Sequence, residues 1–210
     1  MGIAERKEKQ KQEIRKMILD ASMKLLVEEG FENVSIRKIA ELIEHSPTTV
    51  YLYFKDKNQI LFELHELGFQ KMAVYNVDLW EIQNPLLRLY KMGENYIRFG
   101  MNNPEFYELM FIQRAPMKSL DEMHDCDWKS GDVALGKLKE CIAECMERKM
   151  MAPGDVNAVS MAIWGMVHGL VSLATSGRFE KFVKTEAEIL PLMEQSLNWL
   201  LNVLDTSSKK

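Results

Sequence analysis

The sequence predicts an all-α protein, with an N-terminal unit of three short helices followed by a larger helical body. Three observations carry that expectation. Apolar residues recur at three- and four-residue steps along most of the chain, the period of a helix with one buried face. Strand signals are scarce: there is no Asn-Gly hairpin and no sustained alternation of apolar and polar residues. Ser, Pro and Gly stand at the edges of the periodic stretches, where helices start and stop.

The first helix is expected from about Lys11 to Glu29, with Ile14, Met17, Ile18, Ala21, Leu25 and Leu26 on one face. Gly30 stops it, since glycine reaches the left-handed C-terminal conformation without steric cost. Phe31 and Val34 anchor the connection, and Ser35 is a good N-cap for a short second helix carrying Ile36, Ile39, Ala40 and Ile43. After a polar break at Glu44 and His45, Ser46 caps a third helix from Pro47 to about Tyr53, with Pro47 at the first position, where its missing N–H costs nothing. A fourth helix is expected near Asn58–Asn76. Further helices are expected near Pro85–Asn102, Pro104–Gln113, Lys129–Lys149, Pro153–Ser176 and Thr185–Leu204. Residues Arg114 to Asp127 read as a loop or partly helical excursion, and the final "DTSSKK" as a frayed tail. The expected organisation is residues 1–57, a connecting helix at 58–76, and a body at 77–210.

The chain has 210 residues, 47% of them hydrophobic and 28% charged, the composition of a protein with a proper core. No uninterrupted apolar run reaches the roughly 18 residues that a membrane span needs, and the charged start "MGIAERKEKQKQEIRK" lacks the apolar stretch of a secretion signal. A cytoplasmic protein with no membrane partner is the expectation. Three cysteines, Cys126, Cys141 and Cys145, do not form a disulfide framework; free cysteines in a reducing compartment, packed as small hydrophobes, explain them better than a metal site with His124. The net charge of −4 hides an asymmetry. Residues 1–57 hold 11 Lys and Arg against 10 Asp and Glu, and the rest of the chain 16 against 21. Within the first 16 residues the count is 6 basic against 3 acidic, which suits a polyanion at one end.

"SPTTVYLYFKDK", Ser46 to Lys57, concentrates small hydroxyls, aromatics and lysines. Two short helices joined by a tight polar turn form a helix-turn-helix, whose second helix lies in the DNA major groove with its N-terminal residues at the base edges. Pro47 and Thr48 are short enough for close approach to bases and thymine methyls. Thr49, Tyr53 and Lys57 can donate to phosphates. Val50 and Phe54, four apart, are expected to bury against Ile18, Leu26 and Ile39, which leaves Tyr51 and Tyr53 nearer the surface.

With these residues in view, positions 14–61 resemble the DNA-binding domain of the tetracycline-repressor (TetR) family of bacterial regulators. "ILDASMKLLVEEGFENVSIRKIAE" and "SPTTVYLYFKDKNQIL" match the family's Gly-Phe, Thr/Ser-x-x-x-Ile-Ala and Ser-x-x-Thr-x-Tyr-x-Tyr-Phe-x-x-Lys series in order and spacing. One departure is Glu44, which stands in the turn where the family often has Gly. The resemblance implies an all-α homodimer on a pseudo-palindromic double-stranded DNA operator. It implies phosphate contacts from Ser35, Arg37, Thr49, Tyr53 and Lys57, with Pro47, Thr48 and Tyr51 nearest the bases, and nonspecific attraction from the basic arm Arg6 to Lys16. It also implies a C-terminal ligand-binding and dimerization domain, most often in a repressor released by a small-molecule effector.

The body supplies candidates for an apolar or amphipathic effector: Tyr96, Phe99, Phe106, Tyr107, Met110, Phe111, Trp164 and His168. For any single one of them a plain helical core is the stronger explanation. "AIWGMVHGLVSLA", Ala162 to Ala174, is more specific. Trp164 and His168 share a face, and Gly165 and Gly169 suit close packing of another helix. This Trp-x-x-x-His-Gly pattern resembles a subclass of the family. His168 reads as a satisfied core residue, a polar handle for a ligand or a metal ligand; no second His at a matching spacing supports the metal. The helices near Pro153–Ser176 and Thr185–Leu204, with Leu190, Met193, Leu197, Leu200, Leu201 and Leu204, are expected to form a dimeric four-helix bundle.

No Gly-rich phosphate loop, His-Glu-x-x-His motif or nucleophile–base constellation is present, so no enzyme, cofactor or metal is expected. Asp121, Glu122, His124 and Asp125 read as a solvated charged loop. The remaining alternative to a regulator is a helical small-molecule carrier or scaffold without a DNA role.

Overall fold

The computed structural model describes residues 2–117 and 128–207. Asp121, Glu122, His124, Asp125 and Cys126 lie outside the described residues, as does the loop expected at Arg114–Asp127 from residue 118 onward and the tail from Ser208. The protein is all-α: α1 (Ile3–Glu29), α2 (Ile36–Leu42), α3 (Pro47–Tyr51), α4 (Lys57–Val74), α5 (Pro85–Asn102), α6 (Pro104–Phe111), α7 (Lys129–Glu147), α8 (Val156–Thr175) and α9 (Ile189–Leu204), with short 3-10 turns between some of them. Among the described residues there is no strand, only an isolated bridge between Met151 and Asp205.

The chain forms two compact units, one of Met1–Gly68 and Glu105–Asp127, the other of Phe69–Pro104 and Trp128–Lys210. In the first, α1 to α4 enclose one apolar cluster. Ile18, Leu26, Ile39, Val50, Phe54, Ile60 and Leu61 are buried there together with Leu109 of α6. Burying each such side chain contributes roughly 1.5–3 kcal/mol. α6 also approaches α4 closely: a Cβ at Gly68 would lie 2.5 Å from Met110 Sδ.

Helix ends follow local chemistry. Ser35 caps α2 and Ser46 caps α3, each accepting from the backbone N–H three residues on. Three helices end on a left-handed residue: Glu44 (φ 56°) after α2, Lys149 (φ 57°) after α7 and Gly177 (φ 71°) after α8. In each the next residue's N–H returns five residues, as His45 to Ala40 (2.9 Å), Met150 to Cys145 (2.9 Å) and Arg178 to Leu173 (2.9 Å). Gly30 departs from the expected left-handed cap. Its φ is 81° but its ψ is 165°, an extended region that only glycine occupies.

α1 starts at Ile3, well before the expected Lys11. Residues 4–13 are all exposed; Ala, Glu, Lys, Arg and Gln hold the helix by propensity, helped by a Lys9–Glu13 pair at 3.8 Å. α3 is shorter than expected, ending at Tyr51.

In the second unit α5 packs against α7, α8 and α9. Gly93 allows the approach of α9, since a Cβ there would lie 2.8 Å from Leu197 Cδ2. Arg88, nearly buried, pairs with Glu144 at 2.5 Å, donates to the Ile82 carbonyl at 2.8 Å and stacks 4.6 Å over the Trp80 ring. These bonds satisfy a charge that burial would otherwise penalise. Cys141 and Cys145 are buried in the same place. The Cys141 thiol donates to the Pro85 carbonyl at 3.2 Å, and its contact with Cys145 together with burial holds its pKa well above the ordinary thiol value. α8 is long and apolar enough, by length and composition, to cross a membrane, yet only 22% of that stretch is buried within the chain.

Candidate nucleic-acid interface

α3 is a short helix with two unlike faces. Val50 and Phe54 point inward, 0% and 1% exposed, and lock the helix onto Ile18 and Ile39. Pro47 and Thr48 are exposed, and Tyr51 is 56% exposed. The start of the helix is pre-shaped: Ser46 Oγ accepts from the Thr49 N–H at 3.2 Å and lies 3.1 Å from Thr49 Oγ1. Pro47, Thr48 and Tyr51 thus form one solvent-facing surface of groove-entering size. Leu52, 76% exposed, lies four residues after Thr48 and joins it on that surface. The sequence reading missed Leu52 and also Lys55, an exposed cation just past the helix. The i, i+4 step from Thr48 was the signal for the first.

The expected phosphate contacts differ in availability. Arg37 is exposed and, among the described residues, pairs with Glu41 on its own helix at 3.0 Å. Ser35 is half-buried and occupied as the α2 cap, accepting from the Lys38 N–H at 3.3 Å. Thr49 and Tyr53 are half-buried. The Tyr53 carbonyl accepts from Arg15 Nη1 at 3.2 Å; Arg15 also pairs with Glu63 and stacks 4.5 Å over the Phe54 ring, bracing α1 against the end of α3. Lys57 is half-buried, and its ammonium donates to the Phe31 carbonyl at 3.1 Å. Burial lowers its pKa, with Glu32 opposing.

Of the expected effector residues, three come together in the second unit. Trp164 Nε1 donates to Tyr96 Oη at 3.2 Å, and the same oxygen lies 3.2 Å from His168 Nδ1. Trp Nε1 can only donate, so Tyr96 Oη accepts there and its own hydrogen is available to His168. Burial lowers the His168 pKa, which favours the neutral imidazole, and in the tautomer protonated at Nε2 its Nδ1 accepts that hydrogen. Phe99 is fully buried and meets Tyr75 edge-on at 5.7 Å. Phe106, Tyr107, Met110 and Phe111 belong to α6 in the first unit, where Tyr107 and Phe111 rings are 5.4 Å apart. Among the described residues no three His, Cys, Asp or Glu gather as a metal site.

Comparison with known proteins agrees with both halves of the chain. Residues 18–64 match the family described as bacterial regulatory proteins, tetR family. Residues 89–196 match the tetracyclin repressor-like C-terminal domain. An uncharacterised HTH-type transcriptional regulator of Haemophilus influenzae is 30% identical over 96 residues, 45% of this chain and about half (51%) of the relative's length. YobS of Bacillus subtilis, another uncharacterised HTH-type transcriptional regulator, is 21% identical over 93% of this chain and 94% of its own. The crystal structure of the TetR-family regulator PfmR from Thermus thermophilus superposes with a TM-score of 0.65 at 19% identity, covering 88% of this chain and 97% of that one; this establishes a shared fold.

Proposed function

The chain belongs to the tetR family of bacterial regulatory proteins, a family of DNA-binding transcription regulators and not of enzymes, and from that premise we propose that it is a dimeric repressor released from its operator by a small effector. The observation that carries the reading is the exposed surface of Pro47, Thr48 and Tyr51 on a helix whose other face is locked into the core. A single unit offers too few base contacts for specificity. Two copies related by a two-fold axis supply two half-sites about one helical turn apart.

The second copy is assigned to the α8–α9 face. Met161, Leu173, Leu192, Trp199 and Val203 are exposed there, and Gly165 and Gly169 have no neighbour within 4 Å of where a Cβ would stand. A groove of about 420 Å³ between the two helices is lined by Met166, Leu170, Gln195, Ser196, Trp199 and Leu200. An apolar surface of this kind calls for a cover, and glycines within a helix suit a closely packed one.

The effector is assigned to the hydrogen-bonded cluster of Tyr96, Trp164 and His168, the Trp-x-x-x-His-Gly pattern marking a subclass of C-terminal domains. An amphipathic ligand suits it, its apolar part on the aromatic faces and an oxygen or nitrogen on the polar tips. Release requires that the ligand bind better to a state whose recognition helices no longer match successive major grooves. α4 runs through the boundary between the two units at Gly68 and is the lever for that change.

Electrophoretic shift on the DNA upstream of the protein's own gene tests the regulator. A shifted complex that footprints two half-sites, and that dissolves when molecules copurifying with the protein are added back, is the expected result. A chain that shifts no DNA would instead be a carrier or scaffold.

A further inference from the structure

We propose that Cys141 and Cys145 form a two-sulfur binding site for the soft monovalent cation Cu(I). Neither thiol takes part in the DNA-binding or effector readings, and the site stands apart from both. The two residues are four apart on α7, so their side chains leave the same face of the helix. Both are 0% exposed and carry free thiols. The Cys141 thiol donates to the Pro85 carbonyl at 3.2 Å, and the two sulfurs are hydrogen-bonded to each other. The site needs neither Cys126 nor His124, which lie outside the described residues.

Geometry favours a bridging ion over a disulfide. Cβ atoms at this helical spacing lie about 5–6 Å apart, whereas a disulfide draws them to about 3.5–4.5 Å. A metal ion between the sulfurs spans the wider gap and leaves α7 helical. The donor set then selects the metal. Thiolates favour soft ions, chiefly Cu(I), zinc and iron–sulfur clusters. Structural zinc and iron–sulfur sites take four protein ligands, but among the described residues no third His, Cys, Asp or Glu joins the pair. Glu144 is already committed, with Oε2 at 2.5 Å from Arg88 Nη1 and Oε1 at 2.7 Å from Arg148 Nη2. Two sulfurs suffice for Cu(I), which binds thiolates in a two-coordinate, near-linear arrangement.

Charge agrees with that choice. Binding replaces the two thiol hydrogens by the ion and releases two protons. The resulting bis-thiolate unit, two negative sulfurs on one positive ion, carries a single negative charge. Arg88, Arg148 and Glu144 are the charged groups that act on Cys145. Two guanidiniums against one carboxylate leave one positive charge to meet it. Both guanidiniums are held in place, Arg88 by the Ile82 carbonyl at 2.8 Å and Arg148 by the Gln83 carbonyl at 3.0 Å. A buried anion is costly unless a fixed cation offsets it, and here the cations stand ready. Arg148 is exposed and three residues past Cys145, so solvent lies within one helical turn of the sulfurs.

The test titrates the reduced full-length protein anaerobically with Cu(I) against bathocuproine disulfonate as a coloured competitor. The wild type should withdraw one Cu(I) per chain, and X-ray absorption should find two sulfur neighbours around the ion. Cys126→Ser should behave alike. Cys141→Ser and Cys145→Ser should each bind more than roughly 100-fold more weakly, beyond what loss of a supporting group costs. Circular dichroism checks that each variant is folded, and Cys141→Ala or Cys145→Ala replaces any serine variant that is not. Arg148→Gln, at an exposed position, should weaken binding about 10-fold at unchanged stoichiometry. A wild type that leaves all the Cu(I) with the competitor overturns the proposal. So does Cu(I) retained by Cys141→Ser/Cys145→Ser, or lost on Cys126→Ser. DNA binding is measured separately, and none of these results decides it.

Discussion

The ammonium of Lys57 donates to the carbonyl oxygen of Phe31 at 3.1 Å and lies 4.8 Å over the ring of the same residue. Lys57 opens α4, while Phe31 sits in the short turn that joins α1 to α2. The lysine at the end of the recognition stretch therefore ties the helix after it to the turn before it. The lysine expected to contact phosphate thus fixes the frame on which α3 is mounted.

Replacing Lys57 by Ala leaves the Phe31 carbonyl without its donor and is expected to destabilise the fold by about 1 kcal/mol. The urea midpoint should fall at unchanged slope. If the lysine also reaches a phosphate, DNA affinity drops alike for all sequences and the salt slope shallows by about one per protomer, about two for a dimer on two half-sites. We expect both effects. A lower midpoint with an unchanged salt slope would restrict Lys57 to bracing.

Glu44 holds φ 56° with an exposed side chain, where a residue without Cβ carries no steric penalty. The N–H groups of Glu44 and His45 close the end of α2 on the Glu41 and Ala40 carbonyls. The turn is therefore retained at a strain of order 1 kcal/mol. Glu44→Gly should raise the urea midpoint by the equivalent of about 1 kcal/mol with no change in helicity. Lys149→Gly, in the same conformation after α7, should do likewise. A midpoint lowered in both variants would mean that the flexibility glycine adds to the unfolded chain outweighs the strain it removes.

The unusual turn at Glu44 was legible in the sequence, because a position that wants glycine stands out when it carries something else. The α2 and α3 caps and the inward pair Val50 and Phe54 were legible for a similar reason, being set by contacts within a few residues. The start of α1 was not. Residues 4–10 are all exposed, so no apolar period marks this stretch, and propensity alone gives no boundary. The grouping of α6 with the N-terminal helices was equally hidden. Leu109 and Met110 read as apolar wherever they pack, and periodicity does not say which unit receives them. The cluster of Tyr96, Trp164 and His168 lies between these cases. The Trp164–His168 step was visible, but the partner on α5 depends on how two distant helices cross.

Stability should fall on mild acidification, and His65 should carry much of the loss. It is fully buried on α4 and stacks against Phe62 at 5.8 Å. Burial lowers its pKa, and the Glu66 carboxylate at 3.4 Å opposes this only in part. The unfolded chain therefore takes up the proton first. The stabilisation is complete above the unfolded value of about 6.5 and drains away as pH falls through it. His168 acts in the same direction. Glu63, whose pKa burial raises, acts in the opposite one, since the folded state binds its proton more readily. Urea midpoints of the wild type should decline between about pH 7.5 and 5.5. His65→Gln should start lower and decline less. An equally steep decline in that variant would place the titrating group elsewhere.

The sharpest test of the assembly uses Gly165, exposed on α8 with nothing within 4 Å of a Cβ built there. Inside one chain the Cβ of a new side chain at this exposed point meets nothing within 4 Å among the described residues, and replacing a helical glycine should favour α8 by several tenths of a kcal/mol. Gly165→Trp should thus keep its helicity and fold normally. Against a second copy packed on the α8–α9 face, the same indole has no room. Sedimentation should then report a single protomer, and affinity for a duplex with two half-sites should fall roughly 100-fold or more as the linkage between recognition helices is lost. A duplex with one half-site should be bound as weakly by the wild type at low concentration as by the variant. A Gly165→Trp protein that sediments as a dimer and binds two half-sites at wild-type strength would move the interface away from α8, and leave the exposed Met161, Leu173 and Trp199 without the cover assigned to them.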